Sequence, residues 1–157
     1  MNENEIREIV QNTLSKLKFQ KDEMTLPLAE KIANAVISEA KNIGLNIVVC
    51  VSDDAGNPKL VKSMDDAYIA SYDIAVNKAF TVVSLKMPTT TLKALAQPGA
   101  ELYGIQFTNG GRIVIFGGGE PLTNSNGKII GGLGVSGGSE EQDTSLALYG
   151  KRYFETL

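Results

Sequence analysis

The chain has no histidine. That removes Ser-His-Asp and Cys-His triads, His-ligated zinc and a haem held by a proximal histidine. Acid–base work falls to Asp, Glu, Lys, Tyr or Cys. The single cysteine, Cys50, cannot close an internal disulfide, which is compatible with a reducing cytosol. No apolar run approaches the roughly 20 residues of a membrane span. The N-terminus lacks an apolar signal core, so secretion is not expected. Lysine and arginine total 15 against 18 acids, for a net charge of −3, and form no cluster. Nothing here draws the chain to nucleic acid or to an anionic membrane surface. Tyr68, Tyr72, Tyr103, Tyr149 and Tyr153 make no stacking pattern beside a basic stripe, so no RNA or DNA partner is expected.

What is present is enough for one domain with a sizeable core in 157 residues. Residues 1–18 read as a separate amphipathic helix. Ile6, Ile9, Val10, Leu14 and Leu17 recur at helical spacing, with acids leading and lysines trailing as the helix dipole favours. Residues 19–25 are charged and aperiodic and read as a linker, and residues 26–157 as the globular part.

In that part, Pro27 suits the first turn of a helix running to about Asn42, with Gly44 as its stop and Leu28, Ile32, Ala35, Val36 and Ala40 on its buried face. Residues 46–52 read as a central strand, 53–57 as a hairpin turn and 58–64 as the returning strand. Asp65 or Asp66 is expected to cap a long helix over 67–86, largely buried through Ile69, Tyr72, Ile74, Ala75, Ala79, Val82 and Val83. A short helix over 89–96 follows. The spacing predicts three more strands, at 112–116, 120–122 and 128–135, and a last helix over 139–154 capped by Ser139.

Eleven of the 16 glycines fall between Gly110 and Asp143, beside β-branched runs. Glycine serves where backbone takes φ > 0 or approaches another group closely, so the segment predicts strands joined by tight, cleft-forming turns.

Four blocks in order carry a resemblance: SDDAGNPKLVKSMDDAYIASYDIAVNKAFTVV, LAQPGAELYGIQ, GGRIVIFGGGEPL and GKIIGGLGVSGGSEEQD. Together they resemble the GlcG/HbpS-like family, also called the PduO C-terminal-type or DUF336 domain, over about residues 26–154. The resemblance implies an α+β, profilin-like fold: a five-stranded antiparallel sheet with helices on both faces. It also implies homo-oligomers, haem or corrinoid as cofactor, and propanediol- or ethanolamine-type metabolism. The cobalamin adenosyltransferase activity of PduO belongs to a separate N-terminal domain, for which this chain is not expected to have room. The family's axial ligand is understood to be a histidine. Histidine ligation is impossible here, leaving Met24, Met64, Met87, Cys50, Lys78 or a tyrosine as donors.

The first helix resembles the encapsulation peptides of bacterial microcompartment enzymes. That implies a microcompartment lumen as location and a shell protein or other cargo as partner, bound through helix-in-groove anchors. The alternative is a helix that packs on this protein's own oligomer. A membrane-surface role is disfavoured by the scarcity of Lys and Arg on the polar face.

The pocket expected from the residues lies between the loops Gly117-Gly118-Gly119 and Ser136-Gly137-Gly138, near the start of the last helix. Exposed loop N–H groups and a helix N-terminus there suit a carboxylate; the alternative is that these glycines allow strand bends and subunit packing. Lys78, in an otherwise apolar helix, reads either as a carboxylate-binding residue or as a buried ion pair with Glu141, Asp143 or Asp73. Arg112 has the same two readings. Three functions are carried forward. They are a non-catalytic binding protein, an enzyme for a small hydroxy acid or aldehyde built on Lys78 with acidic partners, and a structural assembly protein.

Overall fold

A computed structural model of the chain describes residues 1–19 and 21–157, the side chains of residues 15–19 excepted. Its elements are α1 (Glu3–Phe19), α2 (Leu26–Asn42), β1 (Val48–Asp53), β2 (Pro58–Ser63), α3 (Ile69–Leu85), α4 (Thr89–Leu95), β3 (Gly119–Thr123), β4 (Ile129–Ser136) and α5 (Glu140–Thr156). Two single 3-10 turns, Ile105–Phe107 and Asn109–Gly111, separate α4 from β3.

The four strands form one antiparallel sheet in the order β2-β1-β4-β3. Helices lie on both faces, as the α+β expectation required, but among the described residues the sheet has four strands, not the expected five. Residues 112–116 do not join the sheet. A side chain takes a backbone group there instead: Val114 N–H donates to Thr81 Oγ1 at 3.0 Å, while the Thr81 hydroxyl donates to its own helix's Asn77 carbonyl at 2.7 Å and lies 3.3 Å from the Arg112 carbonyl. A single threonine thus holds the segment against α3.

The larger core lies between the sheet and α2 with α5. Ile32, Val36, Val49, Leu122, Leu133, Leu146 and Phe154 are buried there. On α2 the buried face is Ala29, Ile32, Ala33, Val36 and Ala40, with Leu28 and Ala35 at its margins. Thr25 caps this helix, its Oγ1 accepting from Leu28 N–H, while Gly44 turns the chain away at φ 73°.

The other face is built differently. Gly132 and Gly134 of β4 point at α3, where a Cβ would run into the carbonyl oxygens of Ala79 and Ala75 respectively. Glycine here lets helix backbone lie directly on the sheet, beside Val48, Cys50, Ala75 and Ala79. The buried side of α3 is therefore Ser71, Ala75, Lys78, Ala79, Thr81 and Val82. Ile69 and Tyr72, expected inside, are exposed, because the side of α3 that lies against the strand glycines is the one carrying Ala75 and Ala79.

Neither Asp65 nor Asp66 caps α3. A tight turn, closed by Ala67 N–H to the Met64 carbonyl at 3.2 Å, puts Asp66 in the left-handed region at φ 63°. The helix then starts at Ile69, with Tyr68 at its N-cap making no side-chain bond.

Helix α1 begins with a reciprocal cap. Asn2 Oδ1 accepts from Glu5 N–H at 2.9 Å and Glu5 Oε2 accepts from Asn2 N–H at 2.8 Å. Ile6, Ile9, Val10 and Leu14 are all exposed. The Leu17 side chain lies outside the described residues. Helix α1 runs through Phe19, and Met24, within the stretch 19–25 expected as a linker, is buried in the core.

Candidate functional site

The chemistry-bearing residues gather at the end of the sheet where β3, β4, α3, α4 and α5 meet. Ser139 and Gln142 close a capping box at the start of α5. This fixes the first turn, so that Asp143 points back under the Gly137-Gly138 bend. Gly138 N–H donates to Asp143 Oδ1 at 2.8 Å. From α3, Lys78 reaches the same spot. Its Nζ donates to Asp143 Oδ2 at 3.2 Å and to the Val135 carbonyl at 2.7 Å. Lys78 is fully buried and Asp143 nearly so.

The first glycine loop lies over this pair. Gly118, at φ 111°, leaves no space for a side chain, since a Cβ there would sit 2.6 Å from Lys78 Nζ and 2.9 Å from the Asp143 Cβ. Its carbonyl accepts from Val135 N–H at 2.9 Å. Gly119 N–H donates to Thr89 Oγ1 and Gly117 N–H to Glu140 Oε1, both at 2.9 Å. Lys93 Nζ donates to the other Glu140 oxygen at 2.6 Å. The Phe116 ring stands 5.1 Å from Lys78 Nζ and roofs the ammonium with its π face.

Burial lowers the Lys78 pKa and raises that of Asp143, each restrained by the opposite charge of its partner. The Lys93 ammonium, and then the Gly117 amide, hold the Glu140 carboxyl below its ordinary value. The Gly117 and Gly119 amides are directed at protein acceptors, and the buried Lys78–Asp143 pair lies beneath the loop.

The sequence-predicted residues thus divide. Lys78 meets Gly117, Gly118, Gly119, Ser136, Gly137 and Gly138 at one end of the sheet, and of its three proposed partners Asp143 is the one bonded to it; Glu141 and Asp73 are exposed. Ser136 Oγ donates to Ser71 Oγ at 3.0 Å, tying β4 to α3. Arg112 sits apart, its guanidinium stacked 3.6 Å from the Phe80 ring centroid. Its Nε donates to Asn77 Oδ1 at 3.4 Å.

Among the donors left to iron, Met24 and Cys50 are core residues, and burial pushes the Cys50 thiol up to about 12. Met64 is different. It is half-buried and lines an open cleft of about 510 Å³ between the end of α2 and β2, with Ile37, Lys41, Asn46 and Lys62. Its Sδ accepts from Ile47 N–H at 3.4 Å.

Sequence reasoning passed over Glu120. It is buried on β3, its Oε2 lies 3.7 Å from Lys151 Nζ, and that oxygen has no hydrogen bond among the described residues. The signal was there: strand alternation puts Glu120 on the same face as Leu122, toward α5.

Residues 24–151 match the family model described as haem degrading protein HbpS-like. The chain belongs to the HbpS-like family. Its fold is similar to that of the DUF336-family protein ORFY of Klebsiella pneumoniae, with a TM-score of 0.82 and 44% identity over 85% of this chain and 92% of that one. It is also similar to the PduOC:heme complex, with a TM-score of 0.79 and 35% identity over 83% of this chain and 94% of that one. Among curated relatives, the corrinoid adenosyltransferase PduO of Salmonella typhimurium is 36% identical over 150 residues. The HbpS-like chain spans 92% of its own length in that match but 44% of PduO. Among the described residues of this family member, no helix is long and apolar enough to cross a membrane.

Proposed function

We propose that this HbpS-like chain is an oligomeric accessory protein that binds a tetrapyrrole, haem or a corrinoid, inside a bacterial microcompartment. The carrying observation is the likeness to a solved PduOC:heme complex over 83% of the chain. The buried Lys78 cluster does not fit such a ligand, because Gly118 fills the space above the ammonium. The cleft beside Met64 fits better. About 510 Å³ falls within the usual range for small-molecule pockets. Ile37 and the Met64 stem offer apolar contact, and Lys41 offers charge to a carboxylate arm, next to Lys62, whose Nζ donates to Asn34 Oδ1 at 2.7 Å and pairs with Glu30 at 3.6 Å. The Met64 thioether is a soft donor of a kind that ligates haem iron. A bound haem would supply the redox chemistry. The protein's part is to orient the ring and hold its carboxylates.

Titrating the full chain with hemin and with cobalamin, following absorbance, tests this reading. A saturable change with one of them is expected, weakened at least ten-fold in Met64→Ala with Lys62→Glu. No saturable change with either at micromolar ligand would sink the tetrapyrrole reading.

The location rests on α1. Most helical stability in proteins comes from packing an amphipathic face, yet α1 carries its own cap and leaves Ile6, Ile9, Val10 and Leu14 uncovered. We propose that this stripe docks on a shell protein or on other cargo. Removal of residues 1–20 is expected to leave a folded domain that no longer co-purifies with shells. If removal instead dissociates the oligomer, α1 serves self-packing.

A further inference from the structure

One flank of α3 carries a second apolar stripe, exposed at its Ile69 end and resting on the cluster of Val48 and Cys50 at Val76 and on Gly56 at Phe80. Ile69 is 97% exposed and Tyr72 55%, and the half-buried Val76, Phe80 and Val83 continue the row. At 3.6 residues per turn these five side chains fall within a sector of roughly 80° and extend about 21 Å along the helix. Their spacing is 3, 4, 4, 3, which reads the same from both ends with Val76 at the centre. A second copy running antiparallel would set Ile69 against Val83, Tyr72 against Phe80 and Val76 against itself. Such self-complementarity is what a two-fold interface requires.

The charges obey the same symmetry. Asp66 lies ten residues before Val76 and Lys86 ten residues after it. Both are exposed and both take left-handed backbone at the ends of the helix. Exposed Asp73 adjoins Tyr72, and Arg112 is fixed over Phe80. The two-fold that opposes Tyr72 and Phe80 also brings Arg112 toward the partner's Asp73.

We infer that this flank of α3 is a two-fold self-association surface of this chain, apolar at its centre and closed toward each end by Asp66–Lys86 and Asp73–Arg112 pairs. This rests on the oligomeric reading above and names its surface. Opposite charges set register and direction, and apolar anchors exclude water between them.

Sedimentation of the full chain tests it. The wild type is expected at the mass of a dimer or of a multiple of it. Ile69→Asp with Tyr72→Asp should at least halve that mass while circular dichroism stays unchanged, since both residues are exposed. Lys86→Asp alone should weaken association roughly ten-fold by like-charge repulsion, and adding Asp66→Lys should restore it. A monomeric wild type would overturn the oligomeric reading itself. An Ile69→Asp, Tyr72→Asp particle that keeps its mass would overturn the α3 surface alone. If the mass is kept there but lost on removing residues 1–20, α1 makes the contact and the α3 surface is likewise overturned.

Discussion

Between the sheet and α2 with α5 lie Ile32, Val36, Leu133, Leu146 and Phe154; between the sheet and α3 lie Ala75, Ala79, two strand glycines and a lysine. The first interface is filled by large side chains. The second is closed by backbone, and polar groups fill what remains: Ser71 with Ser136, Ser52 with the Gly132 amide at 3.1 Å, Lys78 with Asp143. The difference explains how a lysine can be wholly buried here. Where helix backbone touches the sheet, carbonyls such as that of Val135 come within reach of an ammonium, and the cost of burying charge is met by geometry. It also explains why α3 turns apolar residues outward.

The comparison breaks most sharply where each interface loses its main contact. Phe154→Ala is expected to cost about 3–5 kcal/mol through lost transfer energy and a cavity. Asp143→Ala should cost a similar 3–5 kcal/mol by stranding the Lys78 charge. Chemical denaturation measures both. The mechanisms separate on repair: Lys78→Met with Asp143→Leu should recover most of the loss, whereas changing both Phe154 and Leu133 to Ala should deepen it. If the double change at the ion pair is no better than Asp143→Ala, Lys78 does more than balance a charge.

A smaller effect is expected at the close approach itself. Gly134→Ala forces a methyl onto the Ala75 carbonyl and should cost about 1–3 kcal/mol as overpacking does. Gly150→Ala, on α5, meets side-chain carbons rather than backbone, the movable Leu133 Cδ2 and the stiffer Val36 Cγ2, both at 2.6 Å, so partial side-chain movement should make it milder. Equal losses at the two sites would remove the distinction between a face closed by backbone and one closed by side chains.

The smallest effect concerns the exception on the apolar face. Burial raises the Glu120 pKa, with the Lys151 attraction opposing. The folded chain therefore holds the Glu120 proton to higher pH than the unfolded chain does. Its contribution is most favourable at low pH and is lost as pH rises through the folded pKa. Glu120→Gln should accordingly raise the melting temperature at pH 7 and leave it nearly unchanged at about pH 3, below the ordinary carboxylate range. A lower melting temperature at pH 7 would show that the Lys151 pair outweighs the burial.

Much of this fold was legible in local signals. Pro27 and Gly44 bracket α2, Asp53 to Asn57 turns the first hairpin, and Ser139 with Gln142 caps α5, because caps and turns depend on residues only a few positions apart. Residues 112–116 misled because alternating Ile113 and Ile115 satisfy a strand pattern, while the hydroxyl that captures their amide comes from Thr81, far along the chain. The glycine segment misled in a similar way. Its composition announces close approach, but not whether a ligand, a turn or a helix does the approaching.

The sequence by itself determined the helices and the exclusion of histidine chemistry, which rest on periodicity, caps and composition, and pointed to the family through four motif blocks in order; which four of the five expected strands pair was left to the tertiary structure. Only the tertiary structure decided that Gly132 and Gly134 seat α3, that Asp143 is the partner of Lys78, that Gly118 closes over them, and that Glu120 Oε2 is buried without a hydrogen bond among the described residues. Those are relations between residues tens of positions apart. They follow from how closely two backbones approach, which no local pattern records.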